Sequence, residues 1–210
     1  MKIIEDARAP NPRRVRIFLA EKEIEIPFEQ IEIMKGDHKT PDFTAKNPFQ
    51  RVPILELESG TIISESVAIC RYFEELEPDP PLMGKDPLDK ARVEMWNRRM
   101  ELNLLFHVAQ VFRHTHPAMT DFEVPQISEW GEANRPKVLE TLIFLDQELE
   151  SRAFIAGKRF SIADITAKVA IDFLKPPKIE RPEKLKHLAR WYDEVSSRPS
   201  MKMPQKDQDK

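Results

Sequence analysis

The sequence predicts two successive units, an α/β domain over about residues 1–78 and an all-α domain over about residues 87–200. Three observations carry this. Short strand-like runs alternate with helical ones up to Glu77. The stretch Pro78-Asp79-Pro80-Pro81 then interrupts the chain, because three prolines in four residues cannot continue a helix. Beyond Pro87 the periodic segments are long and helical, and no strand pattern recurs.

Each element has its own local reason. Ile3-Ile4 starts a strand, and Pro10-Asn11-Pro12 is a turn that places proline where a first helical turn tolerates it. Val15, Ile17, Phe18, Leu19 and Ala20 then form the apolar stripe of a helix ending near Lys22. Phe28 to Ile33 suits a strand, Lys35-Gly36-Asp37 a turn, and Thr40 caps a short helix with Pro41 in its first turn. Val52 to Leu57 is a strand, and Ser59-Gly60 turns it into Thr61-Ile62-Ile63. Ser64-Glu65-Ser66 opens a helix whose apolar positions are Val67, Ile69, Cys70, Tyr72, Phe73 and Leu76. The order strand–helix–strand–helix–strand–strand–helix is that of thioredoxin-like domains, a parallel pair through a right-handed crossover followed by an antiparallel hairpin. Residues 79–86 read as a linker. The second half reads as one long helix over about 87–115, another over about 125–150, a third from Ser161 and a fourth near Pro182. Residues 201–210 read as a flexible polar tail.

Composition excludes several classes. With 40% apolar and 33% charged residues and a net charge of −3, the chain reads as an ordinary soluble protein with no global attraction to nucleic acid. No apolar run is long enough to span a bilayer. The run Arg13-Arg14-Val15-Arg16 is too short for a nucleic-acid patch and reads as a solvated helix face. One cysteine, Cys70, excludes an internal disulfide and a Cys-rich metal site, and its place in an apolar helix stripe reads as a buried small hydrophobe. With no secretory h-region at the N-terminus, these features predict a cytoplasmic protein.

Three motifs carry chemistry. In Arg51-Val52-Pro53, a proline enters a strand at the loss of a ladder donor. Either it is a plain edge-strand proline, or a cis bond turns the Val52 N–H and C=O toward an extended peptide. Glu65-Ser66 follows at a helix N-terminus. There Glu65 can accept from an ammonium while Ser66 donates to an adjacent carboxylate; the alternative is simple helix capping. His38 and Lys39 can face a second carboxylate of the same ligand or remain solvated. Taken together the motifs suit a γ-glutamyl peptide, which offers both a peptide backbone and an amino-acid head group.

The run Asn47-Pro48-Phe49-Gln50-Arg51-Val52-Pro53, followed by Glu65-Ser66-Val67-Ala68-Ile69, resembles the glutathione-binding half of the glutathione transferases. Phe160-Ser161-Ile162-Ala163-Asp164 resembles that family's capping box. Pro10 to Ile17, Lys35 to Pro41 and Glu129-Trp130-Gly131 are similar to the bacterial and fungal members related to the second yeast glutathione transferase. The resemblance implies a thioredoxin-like domain plus an all-helical one. It implies glutathione as co-substrate, held by Asn11, His38, Lys39, Arg51, Val52, Pro53, Glu65 and Ser66, and no metal. It further implies a small hydrophobic electrophile, a role in detoxification, and a homodimer in which the N-terminal domain of one subunit packs on the helical domain of the other.

One stretch departs from the family pattern. Members place a Tyr, Ser or Cys near the end of the first strand to act on the glutathione sulfur. Asp6-Ala7-Arg8-Ala9-Pro10-Asn11-Pro12 has neither hydroxyl nor thiol. A free thiol titrates near about 8.5, and lowering that by two units takes about 2.7 kcal/mol of preferential thiolate stabilisation. Asn11, read as lying just before the first helix, is one candidate source, although a turn or N-cap role also fits it. His107 is the other: it shares a helix face with Gln110 and His114 that can hold a water or a thiolate, or be ordinary hydrated surface. Asn11 and His107 are thus the expected catalytic residues. Two further functions fit the sequence: a glutathione-dependent disulfide oxidoreductase, and a non-catalytic interaction protein that kept the fold.

Overall fold

The computed structural model describes residues 1–202. The chain divides into two compact units, one formed by Met1–Leu82 with Pro199–Lys202, the other by Met83–Arg198. Of the segment expected to be a flexible tail, Met201 and Lys202 finish a 3-10 turn, Pro199–Lys202, and residues 203–210 lie outside the described residues. The Ser200 hydroxyl of that turn donates to the Glu21 carboxylate.

The first unit has the expected element order: β1 (Lys2–Glu5), α1 (Pro10–Glu21), β2 (Phe28–Gln30), α2 (Pro41–Lys46), β3 (Ile54–Glu56), β4 (Ile62–Ser64) and α3 (Ser66–Leu76). The strands lie in the order β2-β1-β3-β4. β1 runs parallel to β2, while β1–β3 and β3–β4 are antiparallel. Ile3 and Leu55 are buried with Val15 and Phe18 of α1 and Ile69 and Phe73 of α3, while Ile4 and Ile54, on the opposite face of the sheet, pack with Phe43 of α2 and Val52. β2 stops at Gln30, earlier than the sequence suggests, and Ile33–Lys35 is a 3-10 turn. Side chains replace the ladder there: the Glu32 N–H donates to the Asp37 carboxylate and the Ile33 N–H to that of Asp6.

The reading of Arg13 to Arg16 as a solvated face does not hold for Arg14 or Arg16. Arg14 is 0% exposed, its Nη1 donating to Ser66 Oγ at 3.1 Å. Arg16 bonds the buried Glu5 carboxylate and lies over the Phe28 ring. Their acceptors sit on other elements, 52 and 11 residues away in sequence, so no local pattern reveals them. Cys70 is fully buried, and burial pushes its thiol up to about 12. That is the inert small hydrophobe its helix position predicts.

The second unit holds α4 (Pro87–Met100), α5 (Phe106–Thr115), α6 (Ser128–Leu149), α7 (Ile162–Asp172) and α8 (Lys186–Ser196). The single long helix expected over 87–115 is not uniform: Glu101–Leu105 is a π turn, closed by the Phe106 N–H on the Glu101 carbonyl. Such a turn takes in an extra residue and rotates the face of α5 relative to α4. α6 packs along α5 closely enough that a Cβ on Gly131 would meet Thr115 Cγ2 at 2.6 Å. α7 is buried from Ile162 to Ile171, and the Ser161–Asp164 capping box is formed. Among the described residues, no helix is long and apolar enough to cross a membrane.

Candidate functional site

The sheet register collects the candidate residues of the first unit at one end. Glu5 at the end of β1 lies opposite Gln30 at the end of β2, Ile4 lies opposite Ile54, and Ile54 lies opposite Ser64. Val52-Pro53 therefore enters β3 beside the point where Glu65-Ser66 leaves β4. The turn to Asn11 and the segment carrying His38 and Lys39 leave β1 and β2 at that same end. Ligands of open α/β sheets bind at such an end, where several loops converge.

The Val52–Pro53 bond is cis, and both residues are buried while Arg51 is exposed. Asn47 anchors this approach, its Nδ2 donating to the Arg51 carbonyl at 2.8 Å. Glu65 is exposed and occupies the N-cap of α3, yet its side chain makes no capping bond. Its φ is +69°, a region that favours glycine and costs another residue about 1–3 kcal/mol. Ser66 follows as the first helical residue and is buried. Simple capping by Ser64 or Ser66 does not describe this arrangement. Glu65→Gly is expected to stabilise the fold by about 1 kcal/mol through relief of the positive φ. The same variant loses the carboxylate that would accept a ligand ammonium; parallel thermal melts and ligand titrations check both effects.

Asn11 lies inside α1, not ahead of it. Ala9 is the N-cap, without a side-chain cap, and Asn11 is the second helical residue, with its side chain exposed. Because Pro10 and Pro12 carry no N–H, Asn11 holds the one backbone donor among the first three helical residues. Asp6 shapes the turn before it. Its carboxylate takes the Arg8 N–H at 3.1 Å, Arg8 Nε at 2.9 Å and Nη2 at 2.8 Å, together with the Ile33 N–H. Burial alone would raise the Asp6 carboxyl, but these donors outweigh it and hold it below its ordinary value. Nothing local in the sequence beyond a spacing of two marks Asp6 and Arg8 as partners.

His38 is buried, and burial, followed by the charges of Lys39 and Arg51, holds its ring below the usual imidazole value. It is thus neutral at pH 7 and no counter-ion for a carboxylate, whereas Lys39 is exposed.

His107 belongs to the helical unit. The face it shares with Gln110 and His114 is not free hydrated surface, since all three meet α6 or its approach. Trp130 Nε1 donates to Gln110 at 2.8 Å and the Ile127 N–H to His114 Nδ1 at 3.1 Å. His107 Nδ1 lies 2.6 Å from Asn134 Oδ1. Asn134 donates its Nδ2 to the Trp130 carbonyl at 2.7 Å, so its Oδ1 accepts from His107. The ring therefore carries a proton on Nδ1, which in the neutral form leaves a lone pair on Nε2, the arrangement of a base. Asn134 sets this tautomer from 27 residues away, and nothing local in the sequence points to it.

The glutathione S-transferase N-terminal domain family matches residues 9–76, and the glutathione S-transferase C-terminal domain family matches residues 99–199. The chain belongs to the glutathione S-transferase family. Glutathione S-transferase 2 of Saccharomyces cerevisiae is 41% identical over 205 residues, which cover 96% of this chain and 88% of that protein. The crystal structure of Gtt2 from the same yeast superposes with a TM-score of 0.92, covering 96% of this chain and 99% of that one. A glutathione S-transferase domain-containing protein of Marinobacter aquaeolei VT8, 38% identical, superposes with a TM-score of 0.93 over 96% of this chain and 100% of that one. The thioredoxin-like plus all-helical architecture of this family member is the one expected from its sequence.

Proposed function

We infer that this family member is a glutathione S-transferase, with glutathione as co-substrate and small hydrophobic electrophiles as acceptors. The observation that carries the reading is the pairing of Ile54 with Ser64, which sets Val52 beside Glu65 and Ser66. Val52 would pair with the peptide backbone of glutathione, Glu65 would accept from its ammonium and Ser66 would donate to the adjacent carboxylate. Pro53 shapes the Val52 approach, and Lys39 and Arg51 supply positive charge for the far carboxylate. In the reaction the thiolate sulfur forms a bond to the electrophilic carbon. The leaving group departs with its electron pair, and holding both reactants in place supplies part of the acceleration.

With no hydroxyl or thiol in the turn before α1, the thiolate is favoured by the Asn11 N–H and side-chain amide. Absorbance of the bound thiolate followed against pH tests this. Asn11→Ala is expected to raise the thiol's apparent value by about 0.5–1 unit, the equivalent of one lost hydrogen bond. A titration that did not move would remove that residue's role. Turnover of an aryl halide well above that of a small disulfide supports the transferase over the disulfide oxidoreductase.

The protein acts as a cytoplasmic homodimer in the detoxification of electrophiles. Phe49, 76% exposed on the first unit, and the exposed Leu88, Met95 and Leu102, seven residues apart on the helical unit, offer apolar contacts for the dimer. Sedimentation that gave a monomer at micromolar concentration would contradict it.

A further inference from the structure

Arg14 is wholly buried against a residue of the candidate site. A guanidinium out of water is costly unless acceptors receive it, and one of those here is a serine hydroxyl, Ser66 Oγ, at 3.1 Å. A hydroxyl has one proton to give and two lone pairs. With a lone pair held by Arg14 Nη1, the Ser66 O–H is turned away from α1 and is available to donate elsewhere. Ser66 opens α3, whose first intrahelical backbone bond runs from the Ile69 N–H to the Glu65 carbonyl. The N–H groups of Ser66, Val67 and Ala68 therefore have no acceptor within the helix, and the end carries partial positive charge.

We propose that Arg14 is a positioning residue for glutathione, fixing the Ser66 hydroxyl as a donor aimed at the γ-glutamyl carboxylate. The proposal rests on the reading of Ser66 as that carboxylate's contact. Arg14 acts through Ser66 and touches no substrate. A purely structural pin between α1 and α3 would instead change stability and leave glutathione affinity alone.

Calorimetric titration with glutathione separates these, using wild type, Arg14→Gln, Arg14→Lys, Ser66→Ala and the double variant Arg14→Gln/Ser66→Ala, each first shown to melt cooperatively. Ser66→Ala and Arg14→Gln are each expected to weaken binding about tenfold, the value of one hydrogen bond to a charged group. The double variant is expected to bind no more weakly than Ser66→Ala. Arg14→Lys, without the planar fork, is expected to weaken binding about threefold. In turnover, KM for glutathione rises in the Arg14 variants by more than kcat falls. If Ser66→Ala weakens binding while the Arg14 variants retain wild-type affinity, or if the two losses add in the double variant, the proposal is overturned and the glutathione reading stands. If Ser66→Ala binds as wild type does, the Ser66 contact itself is wrong and the proposal falls with it. Should Arg14→Gln fail to fold, Arg14→Lys decides: native affinity overturns the proposal.

Discussion

Asp164→Ala is expected to lower the stability of the helical unit by about 3–5 kcal/mol, the range in which buried polar networks fail. The Asp164 carboxylate is fully buried and receives four donors. Oδ1 takes the Ile155 N–H and Trp191 Nε1, both at 2.8 Å; Oδ2 takes the Ser161 N–H at 2.9 Å and its hydroxyl at 3.0 Å. One side chain thus caps α7, ties down the segment before it and anchors α8. Alanine leaves those donors buried without an acceptor. Asparagine is expected to recover only part of the loss, because its Nδ2 would face the Ser161 N–H. Burial pushes the Asp164 carboxyl up to about 6, against the pull of its donors. A carboxyl with a folded value above its unfolded one binds its proton more tightly when folded, so protonation favours the native state. The gap between wild type and Asp164→Asn, which does not titrate, should therefore widen as pH falls from 7 through 6 toward 4. Denaturant unfolding of the two proteins at pH 7.5 and pH 5 checks the sign.

Lys22→Met is expected to cost the first unit about 3–5 kcal/mol, the penalty for breaking a buried ion pair from one side. The Lys22 side chain is fully buried just past α1, with Nζ 2.7 Å from Glu74 Oε2. The same ammonium donates to the carbonyls of Glu77 at 2.5 Å and Pro80 at 2.8 Å. It therefore supplies a cation to the C-terminal end of α3 and holds the turn beyond it. Methionine fills much of the volume but returns neither the charge nor the donors. Adding Glu74→Gln removes the carboxylate that loses its lysine and should restore about 1–2 kcal/mol. The remainder belongs to the two carbonyls. Urea midpoints that fall at an unchanged slope would place the effect in the native state.

What was legible in the sequence follows the range of each interaction. Caps and turns are local, so Thr40 ahead of α2, the Ser59-Gly60 hairpin turn and the Ser161–Asp164 box are where the residue pattern puts them. The parallel β1–β2 pair and the antiparallel β3–β4 hairpin are those that a right-handed crossover and a hairpin turn predict. What was not legible depends on partners far along the chain. Arg14 read as surface because Ser66 lies 52 residues on, and the His107 tautomer rests on Asn134, 27 residues on. The π turn at Glu101–Leu105 keeps right-handed helical dihedrals at its flanks, and so left no mark in an otherwise helical pattern. Asn11 was placed two positions too early relative to the helix because a Pro-Asn-Pro run suits a turn and a first helical turn equally well.

Calorimetric titration of the wild-type protein with reduced glutathione tests the central claim most directly. The account predicts one site per chain, with a dissociation constant between micromolar and millimolar. No detectable heat of binding across that range would contradict it, leaving Val52-Pro53 and Glu65-Ser66 as features of the fold alone and the chain as an interaction module.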